Sequence, residues 1–276
     1  MTTHPYELKQ TILQVNNVSL TLGNNQILRD VNVEIKDIVR PGMKQGQVIG
    51  FLGKSGSGKT KLFEIMAGLA KPTTGEVRIN SNLELVKVGS VGVVQQNYPL
   101  FQHRTLHSNL EVAAAKSTLT PAEQKDKIHY YMQRFNLLEH VNHYPSQLSG
   151  GQRQRVAIAQ QLLCSEHFLL LDEPFSGLDI VMIRQVQEMI QEISTMDELN
   201  TVIIVSHDIE STASISDTLW LLGRDQDTQT KQPIPGSRIK YNYNLIEKGL
   251  AWQKDIEATP EFHEFITEVK EAFQHL

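Results

Sequence analysis

The sequence predicts an α/β fold with a parallel sheet at its core, an N-terminal antiparallel β subdomain and an inserted α-helical subdomain. Three observations carry that prediction. Continuous apolar runs, "QVIGFLG", "HFLLLDE", "TVIIVSH" and "TLWLLG", alternate with helical patterns, as strands buried on both faces of a parallel sheet require. Two earlier runs, "TILQVNNVSLTL" and "QILRDVNVEI", alternate apolar and polar residues, the pattern of half-exposed antiparallel strands. Between about residues 97 and 161 strand patterns vanish and helical spacing dominates.

Taken in order, the first ten residues, "MTTHPYELKQ", lack the apolar core that a secretory signal needs. The two alternating runs come next, and residues 36–46, "KDIVRPGMKQG", read as a loop lengthening a tight strand connection. "QVIGFLG" then leads into a glycine-rich segment and a helix expected from Lys59 to Leu69. Within the helical section, "TPAEQKDKIHYYMQRFNLL" has Thr120 as cap, Pro121 in the first turn and Glu123 three residues after the cap, a capping box. Asp179 and Asp208 are the expected N-caps of two later helices, "IVMIRQVQEMIQEIS" and "IESTASIS". After Gly223 the polar stretch "RDQDTQTKQPIPGSR" reads as a linker or exposed loop. The tail then places Phe262, Phe265, Ile266, Val269 and Phe273 on one helical face. The plain reading packs that stripe back on the domain; the sharper one makes it a dimerisation or regulatory surface. The expected division is thus one domain over residues 1–223, with a linker and helical extension over 224–276.

Composition narrows the function classes. The 276 residues are 40% hydrophobic and 21% charged, an ordinary globular balance. The net charge of −5 supplies no basic field, so a nucleic-acid partner is not expected. A single cysteine, Cys164, excludes an internal disulfide framework, and its apolar surroundings favour a buried structural thiol over a nucleophile. No run of ~18 apolar residues occurs, so the expectation is a cytoplasmic chain that meets a membrane only through a partner.

Two segments carry chemistry on their own. "GKSGSGKT", Gly53 to Thr60, matches the phosphate-loop pattern and has the strand before it and helix after it that the pattern needs. Gly53, Gly56 and Gly58 let backbone N–H groups converge on phosphate oxygens; Lys59 reaches the β- and γ-phosphates, and the Thr60 hydroxyl ligates Mg²⁺. "FLLLDEP" ends a buried strand with Asp172, suited to the Mg²⁺ shell, and Glu173, suited to polarising an attacking water. Alone, the first would be a glycine-rich turn and the second a solvated strand end. Together they read as a P-loop NTPase core.

A third segment, "LSGGQRQR", repeats a Ser-Gly-Gly turn at a helix start. The order "GKSGSGKT", "QQNYPLF", "LSGGQRQR", "LLLDEPFSGLD", "IIVSHD" resembles the nucleotide-binding subunit of ATP-binding cassette (ABC) transporters, from about Thr11 to Gly223. The resemblance implies two cassettes facing head to tail around two ATP molecules. Nucleotide contacts then fall to Gly53, Lys54, Ser55, Gly56, Ser57, Gly58, Lys59, Thr60 and Lys61 of one chain. Ser149, Gly150, Gly151 and Gln152 would close over the γ-phosphate held by the other chain, with Asp179 linking the two sites. The amides and hydroxyl of a helix N-terminus suit that anion, and the two glycines let the backbone approach.

The resemblance further assigns Gln96, chosen over its neighbour Gln95 on the spacing of "NYPLF", to the Mg²⁺ or attacking water, and His207 to the γ-phosphate. His140 and His143 have a metal-like spacing but no third ligand, and read as surface residues. Three positions depart from the family pattern. Leu22 stands where an adenine-stacking aromatic is usual, Lys61 replaces a small hydroxyl residue, and Gln160 replaces a common arginine. None removes a catalytic group, but stacking on the base must be weaker or come from elsewhere. The resemblance implies an ATPase using ATP and Mg²⁺. Its partners would be a second cassette subunit, integral membrane permease subunits and, for an importer, a substrate-binding protein. It would sit peripherally on the inner face of the membrane, with import favoured over export. The alternatives are a soluble ABC ATPase uncoupled from transport and a P-loop kinase, which gives no reason for "LSGGQ" followed by "SGLD".

Overall fold

The computed structural model describes residues 6–40, 46–165, 167–197, 199–230 and 232–276. Strands β1 (Glu7–Leu22) and β2 (Asn25–Val39) form a long antiparallel hairpin through a two-residue turn at Gly23 and Asn24, Gly23 having φ +58°. Residues 36–39, expected in a loop, continue β2, because Ile38 and Val39 still pair with Leu8 and Glu7. The middle of that expected loop, residues 41–45, lies outside the described residues.

Strand β3 (Gln47–Gly53) is buried at all seven positions, which explains its unbroken apolar run. It leads through the phosphate loop into α1 (Lys59–Met66). Strands β4 (Thr74–Ile79) and β5 (Glu84–Leu85) complete a four-stranded antiparallel sheet ordered β2-β1-β4-β5. The short β6 (Gly92–Val94) belongs to the other sheet and ends directly before Gln95 and Gln96.

The helical section contains α2 (Leu106–Ala114), α3 (Pro121–Arg134), two single 3₁₀ turns and α4 (Gly150–Cys164). Both halves of the capping box at Thr120 and Glu123 are formed. Gln160, the arginine replacement, is buried and donates from Nε2 to the backbone oxygen of Asn109 at 3.0 Å, tying α4 to α2 without burying a charge. Cys164 is half-buried rather than buried; its thiol donates to the Gln160 carbonyl, and burial pushes its pKa up, as befits an inert structural thiol.

The chain then adds β7 (Phe168–Asp172), α5 (Ile180–Met196), β8 (Thr201–Ser206), α6 (Ile209–Ala213) and β9 (Thr218–Gly223). Asp179 and Asp208 cap α5 and α6 through their side chains. The polar stretch after Gly223 returns at Ser237 to hydrogen-bond the β2 backbone, and β10 (Arg238–Asn244) pairs antiparallel with β9. The six-stranded sheet runs β10-β9-β3-β8-β7-β6, parallel except at β10. Last comes α7 (Pro260–Gln274), whose Phe262, Phe265, Ile266 and Val269 share one core with Leu52, Leu219 and Leu221. The apolar stripe of the tail therefore packs back on the domain. No helix among the described residues is long and apolar enough to cross a membrane.

Asp217 locks the start of β9 to β3. It is 3% exposed, and its carboxylate accepts from the Val48 N–H at 2.7 Å. Burial raises its pKa from 3.8 to about 7, against the opposing pull of that N–H and of Arg40. The folded chain therefore holds a proton between about pH 4 and 7 that the unfolded chain releases, and stability falls as pH rises through that window. The Asp217→Asn variant is expected to flatten this slope in denaturant midpoints measured from pH 4.5 to 7.5; an unchanged slope would contradict the assignment.

Candidate functional site

A parallel sheet gathers its ligands at the carboxyl ends of its strands, where β3, β7 and β8 each hand over to a loop. At the end of β3 the phosphate loop turns through Gly56 at φ +78° and Gly58 at φ +96°, the latter forming the N-cap of α1. The loop is tight: a Cβ on Gly53 would lie 2.8 Å from Ser57 Oγ, which is itself buried without a hydrogen-bond partner. Lys59 is 8% exposed and donates from Nζ to the carbonyls of Gly53 at 2.6 Å and Lys54 at 3.2 Å. Burial pulls its pKa down while Glu173 and Asp172 hold it up, so the ammonium is poised for more negative charge. Lys61, the second departure, pairs with Glu64 at 2.7 Å, which offsets a cation in the first helical turn.

Asp172 ends β7, and both burial and the neighbouring Glu173 carboxylate raise its pKa, with Lys59 opposing. A bound cation would reverse that balance. Glu173 leaves the strand at φ +49°, a left-handed conformation costing about 1–3 kcal/mol for a non-glycine residue. Its N–H donates to the Val205 carbonyl at 2.8 Å, which holds the turn in place. The turn aims the carboxylate at the end of β8. There Oε2 accepts from His207 Nδ1 at 2.8 Å and from Ser206 Oγ and the His207 N–H at 3.3 Å each. Gln96 donates to Ser176 Oγ at 3.1 Å from the end of β6.

These groups line one open cleft of about 870 Å³: Lys54, Ser55, Gly56, Gly58, Lys59, Thr60, Lys61, Gln96, Asp172, Glu173 and His207. Gln96 is in the lining and Gln95 is not. Leu22, 48% exposed, lines it as well, joined by two residues that sequence reasoning did not assign to it, Ile27 and Phe273. Neither had a local signal, since both reach the cleft through tertiary packing. Lys54 is held by the tail, its Nζ donating to the backbone oxygens of Gln274 at 2.8 Å and Leu276 at 3.3 Å.

The second Ser-Gly-Gly turn lies elsewhere. Ser149 caps α4 in a reciprocal box with Gln152, at 3.2 Å and 2.8 Å, and neither they nor Gly150, Gly151 and Asp179 line the cleft. A Cβ on Gly150 would meet nothing within 4 Å, whereas one on Gly151 would touch Met182 Cε at 3.5 Å, so the turn is open at Gly150. His140 and His143 are half-buried supports rather than simple surface residues. Gln152 Nε2 donates to His140 Nε2 at 2.8 Å, and the two Nδ1 atoms lie 3.0 Å apart. Asp179 is exposed and is followed by Ile180, 85% exposed, and Val181, 66% exposed, an apolar pair open to solvent.

Residues 37–176 match the sequence profile of the family described as "ABC transporter". The chain is similar to the sulfate/thiosulfate import ATP-binding protein CysA of Synechocystis sp., 34% identical over 226 residues, covering 80% of this chain and 61% of that protein. It is similar to a probable protein of the same name from Chlorella vulgaris, 34% identical, covering 75% of this chain and 86% of that one. Against the CysA proteins of Synechocystis sp. and of Vibrio cholerae the chain spans only 61% and 65% of the relative's length. Among solved structures, cbiO1 from Clostridium perfringens, part of the ABC transporter complex cbiONQ, superposes with a TM-score of 0.72 at 22% identity. That likeness covers 97% of this chain and 98% of the other, and it speaks to the fold.

Proposed function

This chain belongs to the ABC transporter family, and on that premise we propose that it is an ATP-hydrolysing subunit whose active site is shared between two copies. One observation supports this reading above the rest. A single cleft gathers Lys59, Thr60, Gln96, Asp172, Glu173 and His207, while Ser149, Gly150 and Gly151 form a capped helix N-terminus outside it. The hydroxyl and amides at that helix N-terminus suit a phosphate, and a nucleotide held by a second copy would supply one.

Convergent N–H groups of the phosphate loop, the positive end of α1 and the Lys59 ammonium suit a nucleotide's phosphates. The residues also fit Mg²⁺. Among the described residues no cluster of three or more His, Cys, Asp or Glu forms a metal cage. Mg²⁺ in NTPases instead takes one or two protein oxygens plus phosphate oxygens, and Thr60 Oγ, Asp172 and Gln96 line the same cleft. Bound there, Mg²⁺ would neutralise charge on the transferred phosphoryl group. Glu173 takes the proton of the attacking water, His207 orients Glu173 through the 2.8 Å bond and contacts the γ-phosphate, and Gln96 positions water or metal. Ser149 and the amides after it, supplied by the second copy, stabilise the γ-phosphate as charge develops.

In this reading, ATP binding closes the pair of cassettes and hydrolysis reopens it, driving separate permease subunits in the membrane. The chain then works at the cytoplasmic face, with import favoured because the relatives are named as import ATP-binding proteins. Specific turnover per chain is expected to rise in proportion to protein concentration until dimerisation saturates. Turnover per chain that stays constant down to high dilution would contradict a shared site.

A further inference from the structure

We infer that Phe273, on the last turn of α7, contacts the nucleotide base, so that the C-terminal tail forms one wall of the ATP site. This rests on the reading that the cleft takes ATP. The hairpin side of the cleft offers only Leu22 and Ile27, both aliphatic, with Leu22 at the position where stacking on the base was expected. Phe273 supplies the one phenyl ring among the described lining residues. His207, the other ring there, is engaged with Glu173.

Phe273 is held in place. It packs half-buried against the core that anchors α7, and the backbone around it is pinned to both the phosphate loop and the sheet. Lys54 Nζ donates to Gln274 O at 2.8 Å, placing a cation at the helix C-terminus, where the macrodipole favours one. Lys240 Nζ donates to His275 O at 3.0 Å from β10. At the end of β9, a Cβ on Gly223 would lie 2.7 Å from the Leu276 side chain, so glycine leaves the room that the tail fills. Leu22, Ile27 and Phe273 supply the apolar side chains of the cleft that also holds Gly56, Gly58, Lys59 and Thr60, and the base of a nucleotide whose phosphates those residues bind would pack on such a surface. An aromatic ring gives the base a π-face that an aliphatic side chain cannot.

The arrangement links two events. Because Lys54 belongs to the phosphate loop and Phe273 to the tail it tethers, docking of the tail and binding of the base favour each other.

The test compares Mg-ATP with inorganic tripolyphosphate, which carries the phosphates and no base, by calorimetric titration of the full chain. Phe273→Leu keeps apolar bulk and removes the π-face. It is expected to weaken ATP about tenfold, within the range base–aromatic stacking gives, and to leave tripolyphosphate unchanged. Equal ATP affinity in wild type and Phe273→Leu overturns the base contact alone, as does equal weakening toward both ligands. A wild-type chain that binds neither ligand overturns the nucleotide reading and this inference with it. Should Phe273→Leu loosen α7, Phe273→Trp gives a second reading. Its added fluorescence is expected to change with ATP and not with tripolyphosphate, and an equal response to both overturns the inference.

Discussion

Replacing Glu173 with glutamine is expected to lower ATP turnover by about 10²–10⁴-fold, the usual contribution of a positioned general base, while leaving ATP affinity nearly intact. The substitution keeps the shape and an acceptor oxygen for the Ser206 hydroxyl and the His207 N–H, both now donating to Glu173 Oε2 at 3.3 Å. The left-handed backbone at φ +49° and its N–H bond to Val205 do not depend on the side-chain charge. On the proposed role, what is lost is the group that accepts the proton of water. Since the Glu173 charge is the second cause, after burial, of the raised Asp172 pKa, its removal should also let Asp172 ionise at lower pH. Nucleotide binding in the variant should then extend further into acid, and the ATP-bound dimer should accumulate because it cannot turn over. Single-turnover assays with calorimetric titrations separate the two effects. Normal turnover would remove Glu173 from the base role.

Lys59→Ala is expected to act at the earlier step. The ammonium is buried and donates to two backbone carbonyls of its own loop, an arrangement that, in the proposed role, is preorganised for phosphate oxygens. A charge-assisted hydrogen bond contributes about 1.5–3 kcal/mol, so losing this group should weaken ATP roughly 10- to 100-fold. Asp172 also loses the Lys59 charge that lowers its pKa. The variant should therefore bind Mg-ATP most poorly at low pH, where a neutral Asp172 is a poor metal ligand. Affinity within about threefold of wild type at neutral pH would argue against Lys59 as the phosphate ligand.

Much of this was legible in the sequence for a physical reason. Strands β3, β7, β8 and β9 are buried on both faces, and that environment writes continuous apolar runs into the chain. The phosphate loop was legible because its backbone demands glycine at φ +78° and +96°, which restricts residue type at fixed spacing. Other features leave no such trace. Strand β6 has three residues, and β10 reads "RIKYNYN", a sheet-edge strand that needs no apolar run. The strain at Glu173 is imposed by Val205 and the end of β8, so nothing in "LLLDEP" signals it. Phe273 was visible as part of a helical stripe, but its place in the cleft depends on Lys54, Lys240 and Gly223 meeting a tail distant in sequence. The support that His140 and His143 give Gln152 is likewise a tertiary fact.

The central claim is that Ser149 of one chain completes the site that holds Lys59 of another. Mixing Lys59→Ala chains with Ser149→Arg chains tests it most directly, because a mixed dimer pairs the intact phosphate loop of one variant with the intact Ser149 turn of the other. Each variant alone should be inactive. The mixture is expected to occlude one ATP per mixed dimer and to recover ATP-dependent dimerisation in sedimentation experiments. A mixture as inert as its two components, with both variants folded, would contradict the shared site.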